Sequence, residues 1–328
     1  TMISDVGCVI IGRNEGDRLR ACLASLVGKT AAMVYVDSGS TDGSVALARG
    51  LGVTVVELDM AIPFTAARGR NEGFRVLRGR LPSLRYVQFV DGDCELLPGW
   101  LGEAREFLES RPEVAVACGR RRERYPEHSI YNKLCDMEWD TPLGEAKACG
   151  GDAMIRAGAL VEVGGYRNDL IAGEEPELCV RLRLAGWKVW RIDRDMTLHD
   201  AAMMRFGQWW KRSVRSGHAF AEGAYLHGAS SERHWVRESR RAWVWGGVIP
   251  LLILLGVPML GWGALALSFL YPLQVVRLVL QGKGSLSLRD RWLRAVFLVL
   301  SKFPEFAGQV RYRVSRLQLA KVELIEYK

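Results

Sequence analysis

Two aspartates, Asp91 and Asp93, are the residues of this sequence whose type and spacing point most directly to chemistry. They stand two residues apart and follow the apolar run 86–90. Carboxylate oxygens are the hard ligands that Mg²⁺ and Mn²⁺ prefer, and Mg²⁺ commonly bridges protein carboxylates to substrate phosphates. The pair therefore predicts metal-assisted chemistry on a phosphorylated ligand. Taken alone, the same spacing is also typical of an ordinary solvated loop.

A second polar segment, residues 36–44, also follows an apolar run. Its Ser, Thr and Gly residues favour a tight turn and can cap the next helix. Asp37, at the start of the segment, could accept a hydrogen bond from a nucleobase N–H. Asn14 and Glu15 follow the first apolar run in the same way. Both segments are compatible with plain strand–helix loops as well as with a ligand site.

The elements that must position these residues alternate regularly along the first half of the chain. Apolar runs predict strands over residues 6–11, 33–36, 53–58, 85–90 and 114–118, and amphipathic stretches predict helices over 17–27, 44–51, 67–77 and 98–109. This alternation predicts an α/β fold with a mostly parallel sheet, in which ligands bind at the carboxyl ends of the strands. Farther on, a helix over 177–185 and two short strands, 188–192 and 196–199, are expected.

Composition narrows the class of protein. The chain has 328 residues, 49% of them hydrophobic, and a formal net charge of +8. A basic balance suits an anionic membrane or a phosphorylated ligand, and the absence of a nucleic-acid motif argues against a nucleic-acid partner. The seven cysteines are scattered without Cys-x-x-Cys spacing. They predict reduced thiols of a cytosolic domain. The first apolar run is too short for a signal peptide.

Residues 243–280 contain a single charge, Arg277. One membrane span needs about 20 apolar residues, so these 38 suffice for a hairpin of two spans. Pro258 and Gly261 lie where it would turn, and basic flanks predict that both ends face the cytoplasm. A single tilted span and a buried core hairpin of a soluble protein are the alternatives. We therefore predict a catalytic domain over residues 1–230 and a membrane-associated region over 231–328 that ends in an amphipathic helix.

Seven segments, in order, resemble the family 2 glycosyltransferases, which have a GT-A fold. They are residues 11–15, 36–43, 70–71, 91–93, 150–156, 164–166 and 173–178, and together they extend over about residues 5–200. The resemblance implies a Rossmann-like GT-A domain, with a mixed, mostly parallel sheet, followed by a C-terminal helical membrane region.

The resemblance also implies roles for individual residues. The nucleotide-binding residues would be Asn14, Glu15, Asp37, Arg70 and Asp91, with Asp37 reading the base and Arg70 approaching the diphosphate. Asp91 and Asp93 would hold a Mn²⁺ or Mg²⁺ ion, with Asp93 as the more direct ligand. His199, after the late strand, could complete the metal shell or contact phosphate, and a purely structural histidine is the alternative. The acceptor-binding residues would be Gly150, Gly151 and Asp152. Trp139 could stack on a sugar ring of the acceptor or be a core or interface residue.

The catalytic base implied by the resemblance is Glu175. An inverting transfer needs one carboxylate to take the proton of the acceptor hydroxyl. Pro176 suits the first position of a helix, which would place Glu175 at the helix start. The family pattern here is Glu-Asp, whereas this chain has Glu-Glu, and the choice between Glu174 and Glu175 stays open.

The resulting hypothesis is an inverting glycosyltransferase at the cytoplasmic membrane, with its catalytic domain in the cytoplasm. The donor would be a nucleotide-diphosphate sugar, with uridine as the expected nucleoside. The acceptor would be a lipid-linked sugar or glycan, as in bacterial polysaccharide or glycolipid assembly. Processive relatives carry Gln-x-x-Arg-Trp, but Lys211 and Arg212 replace the last two residues here, which favours transfer of a single sugar. The alternatives are a polyprenyl-phosphate sugar synthase and a membrane-anchored binding protein without transferase activity. A homo-oligomer is left open.

Overall fold

The structure of the chain, a computed structural model, describes residues 2–282 and 286–318, apart from the side chain of Leu260. The chain divides into two compact units, Thr1–Ala202 and Met203–Lys328. The second unit thus includes the long helix Phe206–His227, which lies within the predicted catalytic domain. The assignment of a catalytic domain over 1–230 and a membrane-associated region over 231–328 stays a prediction.

The first unit is built on one mixed sheet. Its strands, among the residues described, are Ile3–Gly12 (β1), Thr30–Asp37 (β2), Thr54–Glu57 (β3), Tyr86–Asp91 (β4), Cys94–Leu96 (β5), Val114–Glu123 (β6), Gly144–Glu145 (β7), Ala153–Arg156 (β8) and Lys188–His199 (β9). Their order is β3-β2-β1-β4-β8-β6-β9-β5, with β7 paired to β9. The first four strands in this order are parallel, while β8 runs antiparallel to both of its neighbours. The predicted α/β class is confirmed.

Helices pack on both faces of this sheet. They are Asp17–Leu26 (α1), Ser44–Gly50 (α2), Ala66–Arg80 (α3), Trp100–Ser110 (α4), Ile130–Trp139 (α5), Ala157–Glu162 (α6) and Glu174–Leu184 (α7). Successive strand residues face opposite sides. Val9 and Phe89 therefore join the apolar cluster that contains Leu77 of α3, and Ile10 and Val90 join the one on the other face. Sheet faces buried on both sides explain why the strands are continuous apolar runs.

Strand register brings the polar strand ends to one edge of the sheet. In the parallel pairs, Gly12 is opposite Asp37, and Ile11 is opposite Asp91. In the antiparallel pair β5–β9, Cys94 is opposite His199. The predicted clustering of these side chains at the carboxyl ends of the strands thus follows from pairing alone.

The last strand, β9, differs from the expectation of two short strands. It is continuous, because the charged residues at its centre are exposed and paired with neighbouring elements. Asp195, for example, lies 3.4 Å from Arg122 of β6. The register with β6 shifts within this region: Arg120 is opposite Asp195, whereas Arg121 is opposite Thr197. Met196 is thus skipped in the pairing, as in a β-bulge.

The regular secondary structure of the second unit is helical in the part that the structure describes. Its α-helices are Phe206–His227 (α8), Val236–Trp243 (α9), Ile249–Leu260 (α10), Leu270–Leu280 (α11), Leu288–Leu300 (α12) and Lys302–Leu317 (α13). A π-helical stretch, Val244–Val248, joins α9 to α10, and a 3₁₀ helix, Gly261–Phe269, leads into α11. In α8, Trp209 packs edge-on against Phe297 of α12, with ring centres 4.9 Å apart.

Two of these segments form an apolar hairpin, which we call the hairpin below: Val236–Met259 and Gly261–Leu280. Gly261 has a φ of +65° and breaks the helix between them. The Tyr271 hydroxyl donates to the Trp245 carbonyl at 2.7 Å, which joins the two arms near the middle of each. The predicted turn region and the observed turn therefore coincide at Gly261.

The hairpin is exposed rather than buried. Leu254 of one arm is 70% exposed and Leu273 of the other is 63% exposed. Both arms are long and apolar enough to cross a membrane. The alternative of a buried core hairpin in a soluble protein does not fit this exposure, because a core helix hides its apolar side chains.

Candidate active site

Arg70, on the helix α3, lies at the centre of the polar cluster. It is 2% exposed. Its Nη1 donates to Glu174 Oε1 at 2.8 Å, and its Nη2 lies 2.9 Å from Asp91 Oδ1 and 3.1 Å from Glu175 Oε1. Burial disfavours the charged guanidinium, but the three carboxylates outweigh this and raise the pKa of Arg70 well above its usual range. One cation therefore joins the end of β4 to the start of α7.

A second arginine, Arg121 of β6, completes the neutralisation of Asp91. Its Nη2 lies 3.1 Å from Asp91 Oδ2 and 2.9 Å from Asp152 Oδ2. Burial raises the pKa of the Asp91 carboxyl, but Arg70 and Arg121 outweigh that effect and hold it well below its usual range. Asp91 is therefore ionised, with each of its oxygens bound to an arginine.

Asp152 lies beneath this cluster and is fully buried. Its Oδ1 accepts from the Asp91 backbone N–H at 3.0 Å, and its Oδ2 accepts from the Thr197 hydroxyl at 2.7 Å. In this structure its carboxylate therefore supports Asp91 from within the protein. The acceptor-binding role expected for it stays a prediction.

The two neighbouring glycines, Gly150 and Gly151, differ in their surroundings. A Cβ on Gly151 would lie 2.6 Å from Asp91 Oδ2 and 2.7 Å from Arg70 Nη2, whereas a Cβ on Gly150 would meet nothing within 4 Å. Gly151 is thus the residue that lets the Arg70–Asp91 ion pair lie against the backbone. Gly150 is exposed.

The two candidate bases occupy the first two positions of α7. The helix follows Gly173, whose φ is +79°. Pro176 is its third residue rather than its first, so the expectation for Pro176 was wrong by two positions. The side chain of Glu174 is 5% exposed and that of Glu175 is 16% exposed. Burial, together with the charge of Glu174, raises the pKa of Glu175 to about 7. These differences favour Glu175 as the proton acceptor.

Asp93 and His199 form the pair best suited to a divalent cation. Asp93 Oδ2 lies 3.2 Å from His199 Nε2, and both side chains are nearly buried. Burial lowers the pKa of His199, which favours the neutral imidazole that can bind a metal. Cys94 Sγ lies within 4.8 Å of both. Burial raises the pKa of the Cys94 thiol well above its usual range, so it stays protonated and is a poor ligand for Mg²⁺ or Mn²⁺. The carboxylate and the imidazole fit such an ion.

Two further residues extend this pair. Glu123 Oε2 lies 3.7 Å from His199 Nδ1, in the place of the outer carboxylate that commonly orients a ligating histidine. The ring of Trp139 meets His199 edge-on at 4.9 Å, and the Arg121 guanidinium lies 5.6 Å from its centre. Trp139 is half-buried at the border of the site, where its sugar-stacking role stays a prediction.

The loop after β2 is organised by Asp37. Asp37 accepts hydrogen bonds from the Tyr35 hydroxyl, the Ser40 hydroxyl and the backbone N–H groups of Gly39 and Ser40, at 2.5–3.0 Å. Asn14, with a φ of +54°, accepts from the Thr41 N–H at 2.7 Å. The predicted nucleotide-binding loop is therefore held in a fixed shape by two of its predicted contact residues.

Glu15, the third residue of the predicted nucleotide pocket, pairs with Arg18 at 2.8 Å. It also packs against the turn between the two aspartates, since a Cβ on Gly92 would lie 3.3 Å from Glu15 Cγ. Glu15 is thus brought close to the end of β4, while the contacts described above connect Asn14 with the loop of Asp37.

Sequence reasoning missed three residues that the structure brings to the site: Arg121, Tyr166 and Thr197. The strand carrying Arg121 was expected to end at residue 118, yet β6 continues through a run of three arginines. Tyr166 belongs to one of the segments that resemble the family, 164–166, but the resemblance implied no role for it. Its ring lies 5.6 Å from the Arg70 guanidinium. The arginine run was the available signal, because charges that continue a buried strand need carboxylate partners.

Residues 8–152 match the model of glycosyl transferase family 2. The resemblance seen in the motifs is confirmed over this range, while the segment containing Glu174 and Glu175 lies beyond it. A TPR repeat-containing protein of Synechococcus elongatus is 28% identical over 140 residues. That match includes 43% of this chain and 33% of the relative. The matched part of the chain thus spans about a third of the relative's length.

The fold is similar to that of the mannosyltransferase PcManGT from Pyrobaculum calidifontis, in complex with GDP-Man and Mn²⁺. The TM-score is 0.61 at 16% identity, over 94% of this chain and 87% of that one. The likeness concerns the fold and confirms the GT-A prediction. A structure of TarS from S. aureus, residues 1–349, matches at a TM-score of 0.49 and 14% identity, over 95% of this chain and 92% of that one.

Substitution of Gly151 by Ala should destabilise the protein. The added methyl group would overlap the Arg70–Asp91 ion pair, and overpacking of this kind typically costs about 1–3 kcal/mol. Gly150→Ala is the matched control, because its methyl group meets no neighbour. Denaturant unfolding of both variants measures the effect. Equal unfolding free energies for the two would contradict the close packing inferred around Gly151.

Proposed function

We propose that this chain, whose residues 8–152 match glycosyl transferase family 2, is a metal-dependent inverting glycosyltransferase. It would transfer a sugar from a nucleotide-diphosphate donor to a lipid-linked or glycan acceptor at a membrane surface. The observation that carries the proposal is the arrangement around Arg70. It sets the strand-end carboxylate of Asp91 beside a glutamate, Glu175, whose pKa is about 7.

The reaction that this arrangement supports is a direct displacement. Glu175 accepts the proton of the acceptor hydroxyl as that oxygen bonds to the anomeric carbon. The bond between the anomeric carbon and the donor diphosphate breaks, and the nucleoside diphosphate leaves with the bonding electrons. A base with a pKa near the working pH is best matched to such a proton transfer. Glu174, bound to Arg70 and almost fully buried, holds its neighbour in position and raises its pKa.

Asp93 and His199 would hold the metal ion. A divalent cation there would act as a Lewis acid and neutralise charge that develops on the leaving diphosphate. Asp37, Asn14 and Glu15 would bind the nucleoside. Uridine is the expected nucleoside, and the likeness to a GDP-Man complex adds guanosine to the donors worth testing.

Glu175→Gln should abolish turnover while donor binding is retained. Because the ionised carboxylate is the base, wild-type kcat should fall about tenfold per pH unit as the pH drops below about 7. Any residual activity of the variant should lack this acidic limb. The pH profile of turnover tests the role of the carboxylate, and calorimetry measures donor binding. Both measurements use a panel of uridine- and guanosine-linked sugars as donors.

Glu72→Gln, which removes an exposed carboxylate of α3 that pairs with Arg75, is the control for charge loss. It should behave as the wild type. If Glu175→Gln keeps turnover and the acidic limb, Glu175 is not the base. If the wild type binds donors but transfers no sugar to any acceptor, the chain is a sugar-nucleotide-binding protein instead.

Asp93→Asn should weaken metal binding and remove metal-dependent donor hydrolysis. The amide has no negative charge to offer the cation, and the expected loss of metal affinity is about 10–100-fold or more. Mn²⁺ binding, followed by electron paramagnetic resonance, provides a readout independent of activity. Asp59→Asn, on the exposed loop after β3, is the control. Unchanged Mn²⁺ affinity in Asp93→Asn would rule out the proposed metal site.

Membrane attachment is proposed for the hairpin. The charge distribution along the chain supports this. Residues 203–328 carry 19 Lys and Arg against seven Asp and Glu, whereas residues 1–202 carry 26 against 30. Clustered basic residues beside apolar segments are attracted to the anionic cytoplasmic leaflet. The acceptor would then be presented at the same surface.

The double substitution Leu254→Lys and Leu273→Lys should release the protein from membranes. Both leucines are exposed, so a soluble protein would tolerate lysine there. Inside a bilayer each lysine would cost about 2.5–3.5 kcal/mol. Leu184→Lys, at a half-exposed position of α7, is the control. Carbonate-washed membrane fractions should retain the wild type and the control and lose the double variant. Retention of all three would contradict an inserted hairpin.

A further inference from the structure

The helical unit contains a cavity of about 560 Å³ that the proposed reaction does not use. It lies where α8, α9 and α13 meet. Ala221 and Ala224 of α8 and Leu317 of α13 contribute apolar surface. Polar groups come from Ser239 of α9 and from Tyr312 of α13. All of these residues belong to the second unit, so the cavity is a feature of that unit alone.

Two arginines of α13, Arg313 and Arg316, give the cavity its charge. Within residues 2–282 and 286–318, neither forms a salt bridge with a carboxylate. Their planes are instead held by aromatic rings. The Arg316 guanidinium carbon lies 3.6 Å from the centre of the Tyr225 ring, and that of Arg313 lies 4.2 Å from the centre of Trp243. Arg316 also donates a hydrogen bond to the Tyr312 hydroxyl. Stacking of this kind fixes a guanidinium, and its remaining N–H groups can bind an oxyanion.

The local field also favours an anion. Burial lowers the pKa of His218, and the charges of Arg311 on the same helix and of Arg215 on α8 lower it further. The ring of His218 packs edge-on against Tyr312, with ring centres 5.2 Å apart. Glu222 Oε2 lies 3.7 Å from His218 Nδ1. Arg311 therefore adds to the positive charge of Arg313 and Arg316 on the same helix.

We propose that this cavity binds the phosphate head group of an anionic lipid. The two guanidinium groups and the Tyr312 hydroxyl would bind phosphate oxygens, and the alanine and leucine surface would accept the adjoining glycerol and acyl carbons. Phosphate recognition by paired arginines is geometrically specific, because each presents two parallel N–H groups. The combination of oxyanion donors and apolar surface favours a phospholipid over inorganic phosphate. The site is separate from the one that would hold the sugar donor.

Native mass spectrometry of the full chain in detergent tests this proposal. The probes are dioleoyl phosphatidic acid and phosphatidylcholine with the same acyl chains. The wild type should bind one phosphatidic acid about tenfold more tightly than phosphatidylcholine, as expected for a head group read by charge-assisted bonds. Arg313→Gln with Arg316→Gln should erase this preference.

Two matched variants separate a site from general electrostatic attraction. Arg289→Gln with Arg294→Gln removes the same charge from exposed positions of α12 and should keep the preference. Arg313→Lys with Arg316→Lys keeps the charge but loses the stacked, planar donors, and should lose most of the preference.

Three outcomes would overturn the proposal. The glutamine variants at 313/316 and at 289/294 could weaken binding equally, which would mean non-specific attraction. The lysine variant could bind phosphatidic acid as the wild type does, which would mean that the stacked geometry has no role. Inorganic phosphate could displace the lipid at a concentration equal to the lipid dissociation constant, which would mean a site for free phosphate.

Discussion

A buried arginine with three carboxylate partners is the interaction on which the candidate site depends. Arg70 joins α3 to the end of β4 and to the start of α7, which lie far apart in the sequence. A buried charge left without its partner typically costs about 3–5 kcal/mol. The three elements are therefore held together by mutual charge compensation. The tertiary structure and the geometry of the candidate site are consequences of the same set of contacts.

This arrangement also separates the roles of chemically similar groups. Asp91 is held ionised by two arginines, while Glu175 shares Arg70 with two other carboxylates, and burial together with the charge of Glu174 raises its pKa to about 7. Different surroundings thus prepare one carboxylate as a permanent anion and another as a proton acceptor. Glu174, the first residue of α7, contributes because its negative charge raises the pKa of the neighbouring Glu175.

Local patterns were sufficient to predict most of the sheet and the positions of its polar ends. The apolar runs before Asp37 and Asp91 fixed those aspartates at strand ends, and parallel pairing then required them to meet. The helical hairpin and its turn near Gly261 could also be predicted from composition. Arg121 could not be placed, because its role depends on Asp152 and Asp91 approaching from strands paired over long range. The continuity of β9 was missed for a similar reason: its exposed charges suggested a loop until β6 supplied their partners.

The skipped residue in β9 has a consequence for how the sequence can vary in evolution. The shift in register at Met196 sets Thr197 opposite Arg121 and, farther along, His199 beside Asp93. Side chains alternate across a strand, so gaining or losing one residue here would turn the side chains of both Thr197 and His199 to the opposite face. Substitutions at the exposed centre of β9 leave that parity intact. The strand should therefore accept changes of residue type far more readily than changes of length.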